Sequence, residues 1–401
     1  MASSSRHITD HNCLEGDKLS STPLSTPFDF RPRTCLVFGS GTVKRLADFV
    51  IDLGVNRPLL VADQGLIDAG HVTQVESLLK AAGMKTVLFN EFSVNPDTKM
   101  IAAGCNVAAS SNINGIIGLG GGSSMDCAKG INLLLTNGGQ LEDYRGYGKA
   151  TQPLLPMVGI PTTAGTGSEA QSYAVIADAS THMKMACGDP KIAFRFAILD
   201  PELTTSQPVS VTAAAGFDAI AHAVETAVTT RRTALSDCFT REAWRLLKTN
   251  YPAVLDHPND IEARAGMQLG AFYAGLAIEQ SMLGAAHACA NPLTARYQLT
   301  HGVALAILLP HVVRWNGTVV GPLYRQLLDS SHESGDPSER LAGQLRALAD
   351  HAGLPQQLQT EGVELDALPE LAREAEQQWT GTFNPKPLTT IDALEIYRCA
   401  F

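Results

Sequence analysis

The sequence predicts an α/β domain with a doubly wound, mostly parallel sheet, followed by a domain that is almost entirely α-helical. Three observations carry this prediction. The chain has 401 residues, long enough to divide between two cores. Its first half alternates short apolar runs with helical patterns. From Val209 onward it is Ala/Leu-rich with helical periodicity.

The candidate strands are "TCLVFG" (34–39), "PLLVAD" (58–63), "TVLFNEF" (86–92), "NGIIGLG" (114–120), "PMVGIP" (156–161) and "FAILDP" (196–201). Helix-like segments such as "HVTQVESLLKAAG" (71–83) and "TKMIAAGCNVAASS" (98–111) separate the earlier ones, and that alternation implies parallel pairing. Between 170 and 189 the chain reads as a hairpin inserted before the last strand. After "DPELTTSQP" (200–208) come segments such as "TREAWRLLKTNYPAVL" and "AGMQLGAFYAGLAIEQ", so the boundary falls near residue 206. Residues 1–27 are polar and Ser/Thr-rich, without the apolar core of a signal peptide, and read as a flexible extension. The expected domains are therefore 28–206 and 207–401.

Composition narrows the function. The chain is 45% hydrophobic and 17% charged, typical of a soluble globular protein. A net charge of −10 argues against nucleic acid or an anionic membrane as partner. No apolar run reads as transmembrane. The eight cysteines are scattered without a CxxC pair, which fits reduced thiols in the cytoplasm better than a disulfide framework or a thiolate zinc site.

Three loops at strand ends carry candidate chemistry. In "GLGGGSSMDCAKG" (118–130) consecutive glycines let backbone amides approach a phosphate at a helix N-terminus; a bare glycine turn is the alternative. It is not the GxGxxG fingerprint. Asp126 and Lys129 lie on the helix that follows, where Lys129 reads as solvated. In "VADQG" (61–65) the carboxylate of Asp63 suits an adenosine ribose and repels a 2′-phosphate, although a helix cap would also explain it. "GIPTTAGTGSE" (159–169) offers the hydroxyls of Thr162, Thr163 and Thr166 to a phosphate or ribose, or is simply a polar loop.

In "GFDAIAHAVE" (216–225), Asp218 and His222 stand at i and i+4 on one helix face among apolar neighbours. An Asp–His hydrogen bond or a metal ion would satisfy the pair. "HACANPLTARYQLTH" adds His287 and His301. One carboxylate with three imidazoles suits a divalent first-row ion, Fe(II) or Zn(II). His311, in an apolar helical run, could compete as a ligand but reads rather as a hydrogen-bonded core histidine.

From about residue 30 to 401 the chain resembles the iron-containing (group III) alcohol dehydrogenase family. The resemblance rests on "FGSG" (38–41), "VAD", "NPD" (95–97), "GGGSSMDCAK", "IPTTAGTGSE", Lys184 ahead of "DP", "ILDP", "GFDAIAHAVE", "HACANPL", "THGVALAILLPHVVRWN" and "FNPKPLTTIDALEIYRCAF", in order. It implies a dinucleotide-binding α/β domain and a helical metal domain, the dehydroquinate synthase-like architecture, with the active cleft between them. It implies metal ligation by Asp218, His222, His287 and His301. It places Asp63 and Asn95 at the adenosine ribose and Gly121, Gly122 and Ser123 at the pyrophosphate. Thr162, Thr163, Thr166 and Lys184 map onto other cofactor positions, and Tyr173, Ile278 and Thr380 onto the substrate pocket. Many members carry a histidine where this chain has Asn291, which leaves Asn291 an orienting role or a helix-end cap.

The expected activity is NAD(H)-linked, metal-dependent interconversion of a small alcohol and its aldehyde. A cytoplasmic homo-oligomer with one Fe(II) or Zn(II) per subunit is implied by the same resemblance. The alternative is another reaction on the same scaffold with tightly bound cofactor, such as hydroxyacid–oxoacid transhydrogenation.

Overall fold

The structure is a computed structural model that describes residues 24–328 and 334–401. Residues 1–23 of the expected extension lie outside the described residues.

All six anticipated strands form, with three others besides. In chain order they are β1 (Cys35–Phe38), β2 (Pro58–Val61), β3 (Val87–Phe89), β4 (Gly115–Gly120), β5 (Gly146–Tyr147), β6 (Met157–Pro161), β7 (Tyr173–Ala177), β8 (Lys184–Gly188) and β9 (Phe196–Leu199). Six of them make one parallel sheet in the order β1-β9-β6-β4-β2-β3. β7 and β8 are the anticipated hairpin, paired antiparallel from Tyr173 opposite Gly188 to Ala177 opposite Lys184. The two-residue β5 joins its edge, a strand too short to leave a periodic signal.

Five helices accompany the sheet: α1 (Leu46–Asp52), α2 (Gln64–Asp68), α3 (His71–Ala81), α4 (Thr98–Ser110) and α5 (Gly122–Asn137). Side chains alternate across each strand, so a parallel sheet needs cover on both faces. Leu60, Ile117, Val158 and Ile198 pack with α1 and α3 through Leu46, Phe49, Val75 and Leu79. Leu59, Val61, Ile116 and Met157 pack on the other side with α4 and α5 through Ile101, Ala108, Ala128 and Ile131. The sheet is doubly wound.

After β9 the chain is helical: α6 (Val209–Thr226), α7 (Ala234–Asp256), α8 (Ile261–Ser281), α9 (Ala285–Tyr297), α10 (His301–Leu327), α11 (Pro337–His351), α12 (Leu368–Glu376) and α13 (Thr390–Ala400). Their apolar faces converge on one core that includes Phe217, Trp244, Leu247, Leu308, Val313, Leu341 and Tyr397. Phe272 of α8 packs on Ala197 and Leu199 of β9 and joins the helices to the sheet. Contrary to expectation, α10 is long and apolar enough to cross a membrane by length and composition. Most of its apolar stretch is buried inside the protein, against α6, α9, α11 and α13.

Candidate metal and cofactor site

α6, α9 and α10 bring the carboxylate and the three imidazoles together. Asp218 and His222 lie one turn apart on α6, His287 is in the first turn of α9, and His301 opens α10. Asp218 Oδ1 is 3.2 Å from His222 Nε2, 3.6 Å from His287 Nε2 and 4.0 Å from His301 Nε2. The His222 and His287 rings stack with centroids 4.9 Å apart, and His301 tilts against His287 at 5.2 Å. Asp218, His222 and His287 are buried, while His301 keeps part of its surface open. One partly exposed donor beside three buried ones is the arrangement expected of a site that admits substrate.

The donor atoms point at one another without bonding. Asp218 Oδ1 and His287 Nε2 are buried and have no hydrogen-bond partner. Unpaired polar atoms at such depth cost about 1–3 kcal/mol each. A simple Asp–His hydrogen bond therefore does not account for the pair on α6. A divalent cation among these four donors would satisfy all of them, so the residues fit the ion.

Glu225, one turn beyond His222 on α6, sets the tautomer. Its Oε1 accepts the Ala286 N–H at 2.6 Å, and its Oε2 takes the short hydrogen bond from His287 Nδ1. With Nδ1 engaged by Glu225, Nε2 is the nitrogen left to face Asp218 and to ligate a cation. Glu225 was not singled out from the sequence, yet its spacing of three from His222 and seven from Asp218 puts it on the same helix face.

Charge in the pocket follows from burial and these carboxylates. Burial takes the His222 pKa down to about 4, against the pull of Asp218. His301 is held well below its ordinary value by burial and the Lys184 ammonium. His287 goes the other way: burial opposes its charge, but Glu225 and Asp218 push it up to about 9. The Asp218 carboxyl, despite burial, is held below the usual range by the surrounding imidazoles. A field that favours a proton between two carboxylates also favours a cation there.

The three loops meet along one edge of the sheet. β6, β4 and β2 are neighbours, so their C-terminal ends carry Thr162–Thr166, Gly121–Ser123 and Asp63 side by side. Gly121 immediately precedes α5, and a Cβ there would lie 3.2 Å from Thr163; one on Gly122 would collide with Thr166 at 2.6 Å. A side chain at Gly122 would push the turn off the threonine loop, and one at Gly121 would crowd it. The Thr162 N–H donates to Gly120 O at 3.0 Å, and Thr166 Oγ1 accepts the Ser168 N–H. Asn95, at φ 56°, donates its N–H to Ser123 Oγ at 3.2 Å, which brings the segment after β3 onto the glycine turn. Asp63 caps α2, with Oδ1 accepting the Leu66 N–H at 3.1 Å. Lys184 begins β8; burial lowers its pKa against the carboxylates of Asp218 and Asp126, so it links this edge to the histidine cluster.

Lys129 departs from expectation. It is fully buried, and Nζ donates to Ser168 O, Ser168 Oγ, Gln171 O and Tyr173 O at 2.7–3.0 Å. It pins the threonine loop to the start of β7. His311 faces Arg346 at 3.4 Å, away from the cluster.

Asn291 lies in the interior of α9, not at its end, so the helix-cap alternative falls. It is one turn after His287, and its Nδ2 donates to Gln378 Oε1 at 3.1 Å. Tyr173, Ile278 and Thr380 are tied together through their chain neighbours. Glu279, the residue after Ile278, accepts the N–H and hydroxyl of Ser172, the residue before Tyr173. Tyr173 stacks on Trp379 at 5.8 Å, next to Thr380, whose buried hydroxyl has no partner.

The family model described as iron-containing alcohol dehydrogenase matches residues 33–201, and that of the Fe-containing alcohol dehydrogenase C-terminal region matches 212–401. The chain belongs to the iron-containing alcohol dehydrogenase family. It is similar to the NAD-dependent methanol dehydrogenase of Bacillus methanolicus, at 31% identity over 91% of this chain and 97% of that one. Lactaldehyde reductase of Escherichia coli is 32% identical over 91% of this chain and 97% of its own. Among solved structures, an alcohol dehydrogenase from Oenococcus oeni superposes with a TM-score of 0.90 at 27% identity, covering 94% of this chain and all of that one. As an iron-containing alcohol dehydrogenase, the chain is a metal-dependent, NAD-linked oxidoreductase of CH–OH groups.

Proposed function

We propose that this enzyme interconverts small alcohols and aldehydes at one Fe(II) or Zn(II) held by Asp218, His222, His287 and His301. The observation that carries the ligand assignment is the pair of buried, unpartnered atoms, Asp218 Oδ1 and His287 Nε2, facing one another among imidazoles. Bound together, metal and NAD supply Lewis acidity at the substrate oxygen and a hydride acceptor. Glu225 holds His287 in the ligating tautomer. Asp63 and Asn95 take the adenosine ribose, Gly121, Gly122 and Ser123 the pyrophosphate, and Thr162, Thr163, Thr166 and Lys184 the nicotinamide half. Tyr173, Ile278 and Thr380 enclose the substrate, and Asn291 orients it.

In this reading residues 28–206 bind the cofactor and 207–401 the metal. The acidic chain works on small molecules in the cytoplasm as a homo-oligomer, with no nucleic-acid or membrane partner; the net charge of −10 supports the exclusions.

His287→Ala and His301→Ala test the ligand set. Both variants are expected to lose bound metal and NADH-linked turnover together, while circular dichroism stays that of the folded protein. Full metal occupancy in either variant, measured by plasma emission, would overturn its assignment as a ligand.

A further inference from the structure

A row of aromatic rings crosses from the hairpin sheet to the helical part of the molecule. Tyr147 on β5 stands 5.5 Å from Tyr173 on β7, and Tyr173 stacks on Trp379 at 5.8 Å and 28°. Trp379 meets Phe383 edge-on at 5.7 Å, and the Arg231 guanidinium lies over Phe383. Tyr147 and Trp379 are among the exposed large apolar side chains, at 50% and 40%. Inward of Trp379, Thr380 is buried with its hydroxyl unpartnered, and Gly381 rests on Ala288, the residue after His287. Three consecutive residues thus run from solvent to the metal-bearing turn of α9, with Trp379 at the outer end.

We propose that Trp379, stacked on Tyr173, closes the outer end of the substrate pocket and makes it selective for short alcohols. The inference rests on the dehydrogenase reading and adds a specificity-determining residue to it. Two rings contributed by different parts of the chain meet across the mouth, so an alkyl chain that extends outward from Thr380 encounters the Tyr173–Trp379 stack. Parting the rings forfeits their contact, and a long substrate bears that cost where a short one does not. Substrate discrimination is set by such differences in pocket contact.

The test is kcat/KM with NAD along ethanol, 1-butanol, 1-hexanol and 1-octanol. The wild type should fall off from the short to the long members. Trp379→Ala should raise the 1-octanol to 1-butanol ratio by about tenfold. Trp379→Phe, which keeps a ring on Tyr173, should stay near the wild-type ratio. Tyr173→Ala opens the stack from the other side and should reproduce Trp379→Ala, which guards against misfolding of one variant. An unchanged ratio in both alanine variants would overturn the proposal. If the wild type turns over no alcohol, the dehydrogenase reading fails on its own. Calorimetric titration with 1-octanol then decides the gate: about tenfold tighter binding to Trp379→Ala upholds it, and equal affinity refutes it.

Discussion

Asp63 is bound twice over by its position, since its Oδ1 caps α2 while the same carboxylate stands at the C-terminal edge of the sheet. Removing the side chain outright would confuse the two roles, because losing a cap costs about 0.5–2 kcal/mol by itself. Asparagine keeps a capping oxygen and removes the charge. Repulsion between the carboxylate and a 2′-phosphate is on the order of 1–4 kcal/mol at intermediate dielectric. Asp63→Asn should therefore raise the ratio of kcat/KM for NADP over NAD by about tenfold or more, at nearly unchanged thermal stability. A wild type that already prefers NADP, or a variant with the wild-type ratio, would contradict the assignment. Asn291 invites the complementary exchange. Its amide donates to Gln378 and cannot take up a proton near neutral pH. Asn291→His should add an ionisation near pH 6–7 to the kcat/KM profile, and Asn291→Ala should lower kcat/KM at full metal content. Wild-type rate and pH profile in both variants would remove Asn291 from the chemistry.

At the scale of elements, what the sequence discloses depends on how local the cause is. The six sheet strands were legible because both faces are covered, leaving unbroken apolar runs such as "GIIGLG" and "FAIL". The glycine turn was legible in position, but not the reason for two of its glycines, because Thr163 and Thr166 approach from forty residues away. Lys129 was misjudged for the same cause. Its four acceptors lie on the loop before β7 and on β7 itself, so nothing near it in sequence announces a buried ammonium. The four candidate donors emerged from helical spacing on α6 and from the histidines of α9 and α10, yet their convergence needed the family resemblance. Glu225 lay within reach of the spacing argument that found Asp218 and His222. Gln378 and Trp379 did not, since each meets its partner through the packing of the segment after α12 against α9 and β7.

For the molecule as a whole, the cluster lies where three helices of one core meet: α6 supplies two donors, α9 one and α10 one. Without a cation, that core holds a carboxylate oxygen and an imidazole nitrogen unpaired, and a proton on His287 is the nearest substitute. The unfolded chain has no such preformed site, so binding free energy adds to folding free energy. Stabilisation by a ligand at 100 times its Kd is about 2.7 kcal/mol, and at 1,000 times about 4.1 kcal/mol. For a domain of this size one kcal/mol moves Tm by roughly 2–4 °C, so the helical part should melt roughly 5–15 °C higher with metal. Scanning calorimetry of chelator-treated protein, then of the same sample with Zn(II) or anaerobic Fe(II), measures this directly. The rise should vanish in His287→Ala, which separates binding at the cluster from binding at surface carboxylates. Equal Tm values with and without the ion, or an equal rise in His287→Ala, would show that the ion does not bridge these helices.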